Sequence, residues 1–334
     1  MTTDLVVLWV DGNDPAWQAE KAKYVPTDAG ADARKIRYRD WDTFRYFFRG
    51  VERCLPWINR VYLVTWGHLP AWLDPACPKL RVVRHDEFIP AEYLPTFSAN
   101  PIELNVHRLP GLSERFIFAN DDTFFLRPLP ETFFFRDGLP VDAAIQNVQQ
   151  FREPGGVDHI VVNDLMCLNR SFDKRAVMRS APKKWFAPVY GRGAAQNLYL
   201  LPFQNFTGFA DPHLPNAFLK KSFEAVWAAH GDTLGETCRH RVRSFADVNQ
   251  WLIRYWQFAA GTFAPGSPDR GRLFAIGRDD RAIEDALKNR RCPMVCLSDH
   301  DETVDFEAEN RFLTALFEEL FPTPSAFEKR KEPV

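Results

Sequence analysis

In a chain of 334 residues, hydrophobic side chains make up 46% and charged ones 26%, which excludes a disordered or fibrous protein. Lys and Arg number 42 against 44 Asp and Glu, a formal charge of −2, so no global field exists to hold a nucleic acid and any phosphate must be gripped locally. The length suits one large α/β core with insertions, because single cores stop growing at roughly 250 to 300 residues.

In chain order, Asp4 to Val10 is an apolar run rich in Val and Leu, stopped by Asp11-Gly12, and reads as a buried strand ending in a turn. From Asp40 to Cys54, Trp41, Phe44, Phe47, Phe48 and Val51 recur at helical spacing before Pro56 closes the stretch. Arg60 to Thr65, Leu80 to Arg84 and Arg115 to Ala119 are strand-like runs, the last directly before Asn120-Asp121-Asp122. A helix is expected over Ile102 to Leu109, ended by Pro110-Gly111. This alternation predicts an α/β fold with a mostly parallel, Rossmann-like sheet and helices on both faces. After Gln146 the pattern breaks at Pro154-Gly155-Gly156, Gly191-Arg192-Gly193 and Pro212 to Pro215, predicting a helical and loop-rich insertion. Asp247 to Phe258 reads as a helix, and Phe306 to Leu320 as a clearer amphipathic one, with Phe312, Leu316 and Leu320 on one stripe.

Ligands of open α/β sheets sit beyond the carboxyl ends of the strands. Two acidic turns are expected there, Asp11-Gly12-Asn13-Asp14 and Asn120-Asp121-Asp122. Adjacent carboxylates after a buried strand suit a divalent cation held against a diphosphate, although an isolated Asp pair more often caps a turn. Arg37-Tyr38-Arg39-Asp40 and His107-Arg108 bring cations that either clamp phosphate oxygens or pair with Asp40 or Glu103. Asp211-Pro212-His213-Leu214-Pro215 fixes a histidine in a rigid turn, where it could pass a proton. Arg239-His240-Arg241-Val242-Arg243, followed by Asp247, is either a cationic site for an anion or a solvated basic loop.

The six cysteines, Cys54, Cys77, Cys167, Cys238, Cys292 and Cys296, show no matched metal-ligand spacing and are read as buried thiols. No secretory leader is evident, and no apolar run approaches the roughly 20 residues of a membrane span. A cytoplasmic setting is expected, with peripheral attachment at the inner face of the cell membrane as the alternative; the basic tail Glu328-Lys329-Arg330-Lys331 is a weak candidate for such contact. Neither a GxGxxG after a strand nor a GxxxxGK[ST] is present, so a nucleotide site would be of another type. The aromatics are read as core, with one available to stack on a base.

The opening block Asp4-Leu5-Val6-Val7-Leu8-Trp9-Val10-Asp11-Gly12-Asn13-Asp14-Pro15 resembles that of the Stealth family, which includes bacterial capsular polysaccharide phosphotransferases and the catalytic subunit of the N-acetylglucosamine-1-phosphotransferase that starts the mannose 6-phosphate tag. Further blocks match in order. One runs from Arg37-Tyr38-Arg39-Asp40 through Pro56-Trp57-Ile58 and Leu94-Pro95-Thr96-Phe97 to the stretch from His107 to Asp122. Another comprises Pro212-His213-Leu214-Pro215 with Lys221-Ser222, Arg243 and Asp247. The last comprises Cys296-Leu297-Ser298-Asp299 and Phe321-Pro322-Thr323-Pro324-Ser325-Ala326-Phe327-Glu328. Two positions depart from the pattern: Trp66 in Thr65-Trp66-Gly67, and Ser98-Ala99-Asn100-Pro101, which lacks a histidine.

The resemblance implies a single catalytic domain over 1–334, with a nucleotide-sugar-binding α/β half over 1–145 and a helical, loop-rich acceptor-side region over 146–334 ending in the C-terminal helix. It implies transfer of a sugar 1-phosphate from a UDP-sugar to a glycan hydroxyl, with UMP released, in capsular or exopolysaccharide synthesis, with Mg2+ or Mn2+ as cofactor. The expected catalytic residues are Asp122, His213 and Arg243, with Asp122 or His213 as the base. Asp121 and Asp122 are the expected metal ligands. Expected substrate contacts are Asp11, Gly12, Asn13, Asp14, Arg39, Asp40, Asn105, His107, Arg108, Asn120 and Asp247. The alternatives are a metal-dependent glycosyltransferase that releases UDP, and a non-catalytic carbohydrate-binding component.

Overall fold

A computed structural model of the chain describes residues 2–25, 31–32, 38–150, 157–299 and 303–330; Arg37 and Lys331 lie outside them. The strands are β1 (Thr3–Leu8), β2 (Ala31–Asp32), β3 (Val61–Thr65), β4 (Leu80–Arg84), β5 (Arg115–Asn120), β6 (Thr123–Phe125), β7 (Phe135–Arg136), β8 (Leu139–Asp142), β9 (Asn216–Leu219), β10 (Arg243–Ser244), β11 (Ala264–Pro265), β12 (Gly271–Ala275) and β13 (Met294–Ser298). The helices are α1 (Pro15–Ala22), α2 (Phe44–Cys54), α3 (Ala99–Asn105), α4 (Asp158–Ser171), α5 (Lys174–Ser180), α6 (Pro182–Trp185), α7 (Arg192–Tyr199), α8 (Lys220–Arg239), α9 (Gln250–Ala259), α10 (Asp280–Asn289) and α11 (Phe306–Leu320).

The central sheet has the order β4-β3-β1-β5-β9. Its β1–β3, β1–β5 and β3–β4 pairs are parallel and only β9 runs against its neighbour, so the sheet is mostly parallel, as the alternating sequence predicts. Strands buried on both faces read as continuous Val and Leu runs, and the pleat sorts their side chains. Leu5, Val7, Leu63 and Ile117 join the core beneath α2 and α11, whereas Val6, Tyr62, Val64 and Phe116 join the core beneath α8 and α9. A third core gathers Trp185, Phe209, Tyr255 and Phe258.

The expected limits of β4 and α11 coincide with the observed ones. Three helices start elsewhere, each for a local reason. α2 begins at Phe44 rather than Asp40, because the Asp40 carboxylate accepts from the Asp42 amide at 2.7 Å and Asp42 takes φ 53°, a left-handed turn that no α-helix continues through. α3 begins at Ala99, where the Ser98 hydroxyl caps it, and its last turn tightens into a 3-10 segment over Val106–Arg108. α9 begins after Asn249, whose side chain accepts from the Trp251 amide at 2.9 Å. Residues on either side of position 145 share a sheet and a core. β9 pairs with β5, and Leu313, Leu316 and Phe317 of α11 share a core with Phe47 and Phe48 of α2.

Candidate active site

In the sheet order, the chain leaves β1 for β3 on one side and β5 lies on the other, a topological switch point where ligands bind in open α/β sheets. Leu8 is in register with Asn120, so the turns that follow β1 and β5 emerge side by side. After β5, the Thr123 hydroxyl donates to the Asn120 carbonyl at 2.7 Å and the Leu297 amide donates to the Asp122 carbonyl at 2.9 Å. The Asp121-Asp122 turn is thereby pinned to the end of β13.

Asp122, His213 and Cys296 converge there. The His213 Nε2 lies 3.6 Å from the Asp122 Oδ2 and 3.1 Å from the Asn120 Nδ2. With the Asn120 amide as donor, the His213 Nε2 accepts, the form of a neutral imidazole. The Cys296 thiol donates to the Asp122 Oδ2 at 3.3 Å. Burial lowers the His213 pKa, but the Asp122 carboxylate, supported by Glu103, outweighs it and the net shift is upward. Burial and the Asp122 carboxylate keep the Cys296 thiol protonated.

His213 is placed from outside the cleft. Asp211, two residues earlier, accepts from the Arg254 guanidinium at 2.6 Å and from the Tyr255 hydroxyl at 2.5 Å. Arg254 is 2% exposed and also grips Asp142 through two bonds of 2.7 and 2.9 Å. The turn that carries His213 therefore hangs from a buried ion-pair cluster on α9.

The acidic residues form a continuous group. Asp121 is exposed at the rim, yet the protein around its carboxyl, then Asp122 and Asp40, push its pKa up to about 8. Burial, with Asp42 and Asp11 adding to it, raises the Asp40 acid. Asp40, Trp41, Thr43, Asp121, Asp122 and Leu297 line one pocket. The donor set fits a divalent cation. The Asp122 Oδ1 is buried without a hydrogen-bond partner, an oxygen whose desolvation goes uncompensated unless a cation or donor reaches it. The Asp122, His213 and Cys296 donor atoms all lie within 4.8 Å of one another. Asp121 is not in that group; a carboxylate, an imidazole and a thiol suit a softer divalent ion, and among them only Asp122 supplies the oxygens that Mg2+ prefers.

The other expected site residues divide in two. In the first acidic turn, the Asp11 amide donates to the His68 Nε2 at 2.8 Å, the Asp11 carboxylate closes the turn on the Asn13 amide at 2.9 Å, and Asp14 caps α1 through the Trp17 amide at 2.7 Å. A Cβ on Gly12 would meet the Tyr38 carbonyl oxygen at 2.0 Å, so only glycine fits there. Arg243, on β10, is close enough for its charge to act on both Glu103 and His213.

Four expected substrate contacts instead serve packing, and a fifth is engaged by a neighbour. The Asn105 side chain is fully buried and donates to the Pro101 carbonyl at 2.8 Å. His107 stacks on Phe223, and burial followed by Arg108 drives its pKa down to about 3; Arg108 lies over Trp227. Asp247 is 0% exposed and ties together the His240 Nδ1 at 2.6 Å, the Asn100 amide at 2.8 Å and the Ser244 amide at 3.0 Å. A helix that contains a polar residue turns only some of its positions to the cleft, and spacing alone did not show which. Arg39 lines the pocket but forms a two-pronged ion pair with Asp299 at 2.6 Å. Sequence reasoning missed Asp299, Cys296, Glu103 and His68 as parts of this neighbourhood. Only the Cys296-Leu297-Ser298-Asp299 block carried a signal for the first two.

Carboxylates, a histidine and arginines thus gather at the switch point of a mostly parallel α/β sheet. Residues 37–142 match the model of Stealth protein conserved region 2 and residues 4–28 that of conserved region 1. A capsular polysaccharide phosphotransferase of Streptococcus pneumoniae is 37% identical over 98% of both chains. An exopolysaccharide phosphotransferase of Lactiplantibacillus plantarum is 38% identical over 98% of this chain and 96% of its own, and a receptor polysaccharide phosphotransferase of Streptococcus oralis is 39% identical over 97% and 98%. The chain belongs to the Stealth family. Among solved structures, a galactosyltransferase with donor and acceptor sugar analogs aligns over 96% of this chain and 97% of its own, at 11% identity and a TM-score of 0.42.

Proposed function

We propose that this protein transfers a sugar 1-phosphate from a UDP-sugar to a hydroxyl of a glycan during capsular or exopolysaccharide synthesis, forming a phosphodiester and releasing UMP. The observation that carries the reading is the Asp122–His213 pair, 3.6 Å apart and beside an unpartnered buried carboxylate oxygen. Kinship to polysaccharide phosphotransferases along nearly the whole chain supports it.

In this scheme the acceptor oxygen attacks the sugar-linked phosphorus. The bond from that phosphorus to the bridging oxygen breaks, and UMP leaves with the bridging oxygen and its electron pair. The acceptor hydroxyl takes the place of the Asn120 amide at the His213 Nε2, which then accepts the hydroxyl proton, and the Asp122 Oδ2 stabilises the resulting imidazolium. Asp121 and the Asp122 Oδ1 would hold Mg2+ or Mn2+, which when bound offsets charge on the diphosphate. Arg243 contributes positive charge near His213, and Asn120 orients the imidazole. Asp11, Gly12 and Asn13 shape the wall of the donor site through backbone groups, and Asp14 holds that turn on α1.

Purified protein supplied with a panel of UDP-sugars and short glycan acceptors, with Mg2+ present, should yield UMP only when both substrates are there. Release of UDP with a new glycosidic bond would overturn the reading in favour of a glycosyltransferase, and absence of any donor turnover would favour a binding component.

A further inference from the structure

Between Lys174 and Phe203 the chain carries six cations and no carboxylate, although its total charge is −2. Two of the cations turn inward. The Lys174 ammonium donates to the Leu200 carbonyl at 2.6 Å, and the Lys184 ammonium donates to the Gly261 and Phe263 carbonyls at 2.6 and 2.7 Å. The other four, Arg175, Arg179, Lys183 and Arg192, are exposed.

Large apolar side chains are exposed in the same segment. Of the twelve exposed large hydrophobics among the described residues, four fall here: Val189 at 47%, Leu198 at 60%, Tyr199 at 80% and Phe203 at 49%. α7 turns Gly193 and Asn197 inward, and the Asn197 amide fixes it by donating to the Ala144 and Trp185 carbonyls at 2.8 and 2.6 Å. Leu198 and Tyr199 are thereby held outward at its end. The next turn closes by bonds from the Leu201 amide to the Leu198 carbonyl and from the Phe203 amide to the Leu200 carbonyl, both 3.2 Å. It packs directly on the cations of α5: the Arg175 guanidinium donates to the Pro202 carbonyl at 3.2 Å, and the Lys174 ammonium lies 6.0 Å from the centre of the Phe203 ring.

We infer that this face, α5 and α6 with the α7–Phe203 turn, docks on an anionic phospholipid bilayer. Aliphatic and aromatic tips enter the headgroup boundary while flanking Arg and Lys meet lipid phosphates, the arrangement of interfacial anchors. From Lys174 to Phe203 every charged side chain is positive, which matches a negative surface; Asp173, just before this segment, is held at the start of α5 by the Ala176 amide at 2.6 Å. Among the described residues no helix is long and apolar enough to cross a membrane, so the attachment is peripheral. It does not depend on the tail basic run at Lys329-Arg330.

Cosedimentation of the full chain with phosphatidylcholine vesicles, with and without phosphatidylglycerol, tests this. Binding should require phosphatidylglycerol and weaken as salt rises. The variant Leu198→Ser/Tyr199→Ser/Phe203→Ser should bind at least about tenfold more weakly, and Arg179→Glu/Lys183→Glu should fall by at least about tenfold, both with unchanged thermal midpoints because the altered side chains are exposed. No binding to phosphatidylglycerol vesicles at low salt would overturn the proposal, as would wild-type binding by both variants. Self-association that the apolar variant abolishes, without vesicle binding, would assign the face to a second copy instead.

Discussion

At the scale of single residues, the pairing of His213 with Asp122 makes a claim about pH. A histidine whose folded pKa is raised lends stability below its unfolded value of 6.5, and that contribution is lost as pH climbs through the raised folded value. As a base it works only when neutral, so turnover should rise with pH along a limb centred above 6.5. His213→Gln should cost about 10²- to 10⁴-fold in rate and erase that limb. Asp122→Asn should also abolish most turnover, and in the residual activity the limb should move to lower pH because the raising charge is gone. If the limb stays in place in both variants, the protonation belongs to another group.

Asp121 shifts stability in the same direction, through burial and neighbouring carboxylates rather than an ion-pair partner. Its folded pKa of about 8 stands above the ordinary 3.8, so between these values the unfolded chain has released a proton that the fold retains, and stability falls as pH rises. A divalent cation favours the ionised form and offsets the loss. Thermal unfolding with and without Mn2+ or Mg2+ should show a cation-induced rise in midpoint that is larger at pH 8 than at pH 5, and smaller in Asp121→Asn. An equal rise at both pH values would exclude Asp121 as a ligand.

At the scale of elements, the site depends on anchors that are not themselves in the cleft. Replacing Arg254 by Met leaves Asp142 and Asp211 as buried, unpaired carboxylates, and should cost about 3–5 kcal/mol of stability by chemical denaturation. A cost below about 1 kcal/mol would mean that the cluster does not support the His213 turn. Gly12→Ala forces a Cβ against the Tyr38 carbonyl and should weaken donor binding more than it slows a bound donor, because it displaces the wall and leaves Asp122 and His213 in place.

These elements also show what was legible in the sequence. The strands that build the switch point could be read because central parallel strands are continuously apolar, and the Asp121-Asp122 turn could be placed because it follows such a strand. β9 was not read: Asn216–Leu219 is only four residues long and sits behind Pro215, and its place comes from pairing with β5. Spacing put His107 and Asn105 beside the acidic turn in sequence, but α8 covers that face of α3, so both are packing residues. Cys296 and Asp299 reach the cleft through β13, which joins β6 by long-range pairing that no local pattern announces.

At the scale of the whole molecule, distant parts of the chain meet: Asp40, Asp121, Asp122, Leu297 and Leu313 line one pocket, and His213 stands against Asp122. Likeness to polysaccharide phosphotransferases over nearly the full length accords with a site that needs all of these segments together. The most direct measurement is phosphorus NMR of a reaction containing the protein, a UDP-sugar, a glycan acceptor and Mg2+. The expected result is a new phosphodiester resonance that grows in step with free UMP and is absent with Asp122→Asn. Accumulation of UDP with no phosphodiester would contradict the account.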